Sequence, residues 1–84
     1  MMRFTLIWSP IAERQLIDLW SDFPDDRKAL TEAVAEVDKL LREDPSMKGR
    51  PFGVSRVLIK PPIIVLFSVD EGDRKVKVSL IRRL

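Results

Sequence analysis

The chain has 84 residues, 45% hydrophobic and 33% charged, with a net charge of +2 and no cysteine. A domain this small buries only about 60–65% of the surface its unfolded chain exposes, and without cysteine no disulfide or thiolate metal site can reinforce it. No apolar run approaches the roughly 20 residues of a membrane span and Met1-Met2-Arg3-Phe4 opens no signal-peptide core, so the sequence reads as one globular cytoplasmic domain, 1–84.

Phe4 to Trp8 is a short apolar run rich in strand formers. Ser9-Pro10 ends it and supplies an N-cap and a first-turn proline for a helix. Ala12, Leu16, Leu19, Trp20 and Phe23 follow at helical spacing until Pro24 interrupts, and Asp25 or Asp26 can cap the next helix. Leu30, Ala33, Val34, Val37, Leu40 and Leu41 form a second apolar stripe, with Glu32, Glu36, Lys39 and Glu43 off it. Residues 10–23 and 26–43 therefore predict a helical hairpin with one apolar side, and Trp8 and Trp20 read as core.

From Asp44 the pattern changes. Lys48-Gly49-Arg50-Pro51 reads as loop, Val54–Lys60 as a strand, Lys60-Pro61-Pro62 as a turn, and Ile63–Val69 as a buried strand. Asp70-Glu71-Gly72-Asp73 reads as a hairpin loop, and Lys75–Ile81 alternates apolar and polar before Arg82-Arg83-Leu84. The predicted fold class is α+β, in the order β-α-α-β-β-β, with the hairpin on one face of a small, mainly antiparallel sheet.

If residues 70–73 are the loop, Phe67, Val65 and Ile63 share a face with Val76, Val78 and Leu80, which the helices can cover. With Lys60-Pro61-Pro62 as a three-residue loop, Val57 and Ile59 join that face. The opposite face then carries Arg56, Leu58, Lys60, Ile64, Leu66, Lys75, Lys77 and Ser79. This is a cationic surface around a small apolar strip of Leu58, Ile64 and Leu66, and an exposed strip of this kind marks a protein contact. The charge along the chain agrees. Residues 1–44 hold six basic and ten acidic side chains, a net of −4, whereas residues 45–84 hold nine basic and three acidic, a net of +6. The basic half points to an anionic partner: RNA, DNA or an acidic protein.

At this point the sequence resembles the RelE/ParE toxin superfamily of bacterial type II toxin–antitoxin systems, some of whose members are known as plasmid stabilisation proteins. Trp8-Ser9-Pro10-Ile11-Ala12-Glu13-Arg14-Gln15-Leu16 is similar to that family's strand-to-helix pattern. Leu40-Leu41 through Pro45 and Gly49 is similar to the end of its second helix. Gly53-Val54-Ser55-Arg56-Val57-Leu58 is similar to its glycine-then-arginine strand, and Pro62–Asp70 to its central strand. The resemblance implies a toxin neutralised by a cognate antitoxin. It implies one of two targets: mRNA cleaved on the ribosome by an interferase, or DNA gyrase poisoned without cleavage. A toxin-fold module that only pairs with an antitoxin is the alternative.

RNA cleavage needs a base for the ribose 2′-OH proton, an acid for the leaving oxygen and cations for the phosphorane. Cleaving members often use a histidine or tyrosine near the C-terminus, and this chain has neither. The candidates for such a centre are Arg56, which matches the family's strand arginine, with Lys60, Arg82 and Arg83. Lys48, Arg50, Lys75 and Lys77 are the candidate nucleic-acid contacts. Whether the chain is an enzyme stays open at this stage. Glu13, Asp18 and Asp22 read as solvated helix-face charges. No Gly-rich phosphate loop, metal cluster or nucleophile triad is present, and the sequence implies no cofactor or metal.

Overall fold

The computed structural model describes residues 3–84. Met1 and Met2, included above in the absence of a signal peptide, lie outside the described residues. Thr5–Trp8 forms β1, Pro10–Asp22 forms α1 and Arg27–Leu41 forms α2. Arg50–Phe52, Ser55–Lys60, Ile63–Asp70 and Lys75–Arg83 form β2 to β5. The five strands make one sheet in the order β1-β5-β4-β3-β2, antiparallel except for the parallel pair β1–β5. The α+β hairpin-on-sheet architecture is the predicted one. Among the described residues no helix is long and apolar enough to cross a membrane.

Each helix starts and stops for local reasons. Ser9 caps α1: its Oγ accepts from the Ala12 N–H at 3.0 Å and donates to the Ser79 carbonyl at 3.1 Å. That single hydroxyl satisfies a helix-end donor and ties α1 to the sheet. A turn of 3-10 helix over Pro24–Asp26 leads into α2. Asp26 occupies the cap position but makes no side-chain capping bond. Its carboxylate instead accepts from Arg83 Nε and Nη2 at 2.9 and 2.7 Å.

The core lies between the hairpin and one face of the sheet. Leu30, Ala33, Val37 and Leu41 of α2 and Ala12 of α1 meet Ile63, Val65, Phe67, Val76, Val78 and Ile81, all fully or almost fully buried. Phe4 and Leu6 extend the same core. The period-2 face of β4 and β5 is thus the predicted one up to Val78. The loop joining the two strands has the expected four residues but lies one position further on, at 71–74, with Asp70 opposite Lys75 and Val69 opposite Val76. A shift of two residues leaves each side chain on its expected face. Trp8 packs against the core, but Trp20 is 41% exposed on the outer surface of the hairpin, with the Arg27 guanidinium over its ring.

Two features depart from the expected register. The first is in β3. Lys60 pairs with Ile63, Leu58 with Val65 and Arg56 with Phe67, so the turn is the two residues Pro61-Pro62 rather than three. One residue fewer inverts the strand. Arg56, Leu58 and Lys60 point to the helix side, and Val57 and Ile59 point away. The second is a bulge in β5, where the register moves from Phe67 opposite Val78 to Leu66 opposite Leu80. Ser79 is the extra residue, so Leu80 turns outward and Ile81 inward. The bulge is held by helix α1. Ser9 takes the Ser79 carbonyl, and the Gln15 Oε1 accepts the Ile81 N–H at 2.9 Å.

Gln15→Leu is therefore expected to cost about 1–3 kcal/mol, the penalty of a buried N–H left without an acceptor. Gln15→Glu, which keeps an acceptor in place, is expected to lose less. Urea unfolding midpoints of the two variants check this, and equal midpoints would show that the bulge does not depend on the bond.

Candidate functional site on the open sheet face

Among the described residues, the face of the sheet away from the helices carries no second layer. Cross-strand pairing sets its side chains in rows. Arg50, Val57, Leu66 and Leu80 form one row across β2, β3, β4 and β5. It spans three strand spacings, about 14 Å. Ile59, Ile64 and Arg82 form the next. On the other side of the first row, Ser68 and Lys77 lead to Ile7 of β1, and beyond them Asp70 and Lys75 lead to Thr5. Val57, Leu66, Leu80, Ile59 and Ile64 thus make an apolar block two rows deep. Arg50 stands at one end of it, Arg82 at the opposite corner, and Lys75 and Lys77 continue the positive charge along β5.

Two hollows open onto this block. The larger, about 700 Å³, is lined by Gly49, Arg50, Pro51, Phe52, Val57, Leu58, Ile59 and Ile64. The smaller, about 190 Å³, runs between Phe52, Ile64, Leu66, Leu80 and Arg82. Phe52 is 65% exposed and Ile59 56% exposed, unusual values for side chains of this size in one patch. Among the described residues none of Arg50, Lys75, Lys77 and Arg82 takes part in an ion pair. Asp70 is the carboxylate at the edge of the face, and its Oδ1 accepts from the Asp73 N–H in the hairpin loop at 3.0 Å.

Strand β2, expected as loop, brings Arg50 and Phe52 to this place. Gly49 precedes it with φ +66°, in the left-handed region. A Cβ there would run into the Val57 carbonyl oxygen, so only glycine lets β2 approach β3 at this point. Pro51 provides no N–H to the ladder, which suits an edge strand.

The structure separates the candidates. Arg50, Lys75, Lys77, Arg82, Ile64 and Leu66 share the open face. Arg56, Lys60, Arg83, Lys48 and Leu58 do not. Arg56 is committed to backbone: Nε donates to the Lys48 carbonyl at 2.7 Å and Nη2 to the Gly49 carbonyl at 3.1 Å. Lys60 stands on the helix side, beside Glu32 and Glu36 of α2. Arg83 is held by Asp26 and lies 4.5 Å from the Phe23 ring centroid. The Lys48 ammonium donates to the Glu43 carbonyl at 3.0 Å. Leu58 packs against the core. The expected strip of Leu58, Ile64 and Leu66 is thus replaced by one in which Val57, Ile59 and Leu80 join Ile64 and Leu66. Phe52, Val57, Ile59 and Leu80 were missed. For Phe52 the alternation Arg50-Pro51-Phe52 before a glycine was the available signal.

Sequence comparison with family models and with curated proteins finds no match. Comparison of the fold is informative. A chain of the toxin–antitoxin complex RelBE2 from Mycobacterium tuberculosis superposes with a TM-score of 0.83 over 100% of this chain and 94% of that one, at 17% identity. A chain of the chromosomal ParDE toxin–antitoxin system from P. aeruginosa gives 0.79 over 98% and 97%, at 20% identity. The chain shares its fold with these two chains of toxin–antitoxin complexes. The open face described above is the sheet surface opposite the helical hairpin. Among its described residues there is no group of three or more His, Cys, Asp or Glu that could hold a metal ion.

Proposed function

We propose that the chain is the toxin half of a type II toxin–antitoxin pair, that it acts in the cytoplasm, and that its open sheet face binds protein rather than cutting RNA. The observation that carries this reading is the makeup of that face. An apolar block of Val57, Ile59, Ile64, Leu66 and Leu80 is framed by cations with no ion-pair partner. Protein interfaces are built this way, with an apolar centre and a polar rim. A single-strand RNA platform instead needs aromatic rings on which bases stack, and this face has one, Phe52. Its cations can position an anion and offset its charge, and an arginine cannot readily accept a proton.

Two proteins would use the face in turn: the antitoxin, through a segment with apolar anchors between acidic residues, and the target. DNA gyrase is the target this reading favours, in the manner of the non-cleaving branch. Ribosome-dependent mRNA cleavage is the second reading. It draws on Arg82, Lys75, Lys77 and Arg50 on the face, and it would need Arg56, Lys60 or Arg83 to leave the contacts described above.

Induced alone in a bacterial host, the chain is expected to arrest growth, and co-expression of a cognate antitoxin, which this reading expects as a short acidic-tailed protein from a neighbouring gene, is expected to restore growth. Purified protein is expected to inhibit gyrase supercoiling and to leave ribosome-bound mRNA intact. Cleaved mRNA with unaffected supercoiling would replace this reading by the second. Silence in both assays with antitoxin binding retained would leave a binding module alone.

A further inference from the structure

Strand β2 cannot hold itself in place. It has three residues, lies at the edge of the sheet, and has a proline at its centre that supplies no hydrogen-bond donor. Yet it presents Arg50, which ends the apolar row and lines the larger hollow of the open face, and Phe52, which lines both hollows. Something outside the ladder must fix it.

The side chain that does so is Arg56. It pairs across the sheet with Pro51, so its stem passes on the helix side of β2 while Arg50 and Phe52 face the other way. Its guanidinium uses two donors on one edge of the fork, Nε to the Lys48 carbonyl and Nη2 to the Gly49 carbonyl. Successive carbonyls of an extended chain point in opposite directions. They converge on one guanidinium here because Gly49 adopts a left-handed conformation. A planar, permanently charged fork suits such a pair of acceptors, and a lysine ammonium does not reproduce it. A second cation secures the same loop from below: the Lys48 ammonium donates to the Glu43 carbonyl just after α2.

We infer that Arg56 is a positioning residue, which acts through the Lys48-Gly49 turn to set Arg50 and Phe52 on the open face and does not itself touch the bound partner. The consequence for binding rests on the protein-binding reading of that face; the consequence for β2 does not.

The experiment uses the purified full chain and four variants: Arg56→Met, Arg56→Lys, Arg50→Ala and the double variant Arg50→Ala/Arg56→Met. Amide hydrogen exchange by NMR is the first measurement. Arg56→Met is expected to accelerate exchange at Arg50 and Phe52 at least tenfold while Val65 and Phe67 stay protected, with Arg56→Lys in between. Inhibition of gyrase supercoiling is the second. Arg56→Met and Arg50→Ala are each expected to raise the inhibitory concentration by a similar factor, on the order of tenfold, and the double variant is expected to raise it no further. Non-additivity of this kind marks a residue acting through another.

Unchanged exchange at Arg50 and Phe52 overturns the inference whatever gyrase does. Faster exchange with undiminished inhibition also overturns it, as do effects that multiply in the double variant, because Arg56 would then contact the partner directly. If the wild-type chain leaves gyrase untouched, the protein target proposed above fails, and the exchange pattern alone decides whether Arg56 sets β2.

Discussion

Phe67→Ala is expected to be the most destabilising single substitution in this chain, at about 3–5 kcal/mol. Phe67 is fully buried at the middle of β4, the central strand of the sheet, and is the largest of the fully buried side chains. Its loss removes contacts on every side and leaves a cavity that sheet and hairpin cannot both close. A domain of this length holds a total stability of about 4–13 kcal/mol, so the variant is expected to lose from about a quarter of it to all of it. The measurement is a urea unfolding curve for wild type and variant. With a slope of about 1 kcal/mol per molar for a small domain, the midpoint should fall by about 3 M or the folded baseline should vanish. A shift below about 1 M would show that α2 settles onto the sheet and refills the space.

The substitution expected to separate binding from folding most widely is Leu66→Lys. Leu66 is half-buried at the centre of the open face, between Val57 and Leu80. The variant places an ammonium in the apolar block and adds like charge to a face already carrying Arg50, Lys75, Lys77 and Arg82. The lysine stem can lie where the leucine lay and carry its charge to water, so stability should change by no more than about 1 kcal/mol. Central apolar anchors of protein interfaces contribute about 2–4 kcal/mol, or roughly 30- to 1,000-fold in affinity. Affinity for the antitoxin proposed above, measured by titration calorimetry, and the proposed inhibition of gyrase should both fall by that factor while the thermal melt stays near the wild-type value. Full affinity in a well-folded variant would move the interface off this face.

Much of the fold was legible because its strongest signals are local and redundant. The α2 stripe from Leu30 to Leu41, the Ser9-Pro10 start of α1, and the alternation of Lys75–Val78, which sets the face of the apolar run in β4 across the hairpin, each admit one arrangement. Strand β3 does not. Its two faces, Arg56-Leu58-Lys60 and Val57-Ile59, each contain apolar residues, so hydrophobicity does not choose between them. The length of the Pro61-Pro62 turn chooses, and that length is one peptide shorter than expected. The bulge at Ser79 was hidden for a similar reason. Leu80 and Ile81 are both apolar, and either satisfies the core. Strand β2 left only the short alternation Arg50-Pro51-Phe52, because what holds it is Gly49 backbone geometry and the Arg56 fork on the Lys48 and Gly49 carbonyls, contacts that no periodicity encodes. The site was therefore legible where it lies on β4 and the first half of β5, and illegible where a turn or a bulge sets the side.

The two-residue turn and the bulge also bear on how a surface like this evolves. Insertion of one residue beside Pro61 would bring Arg56, Leu58 and Lys60 to the open face in place of Val57 and Ile59. The bulge behaves differently: deletion of Ser79 itself would leave Leu80 and Arg82 outward, whereas closing the bulge with Ser79 retained would turn Ile81 and Arg83 outward in their place. A single residue gained at the turn, or a bulge closed, thus re-deals a whole set of side chains between core and surface in one step. Among proteins that share this fold at 17–20% identity, a basic residue at a matching sequence position can therefore face a ligand in one lineage and brace a backbone turn in another. Lineages would then gain or lose a binding surface through indels rather than through substitutions accumulated at the site itself.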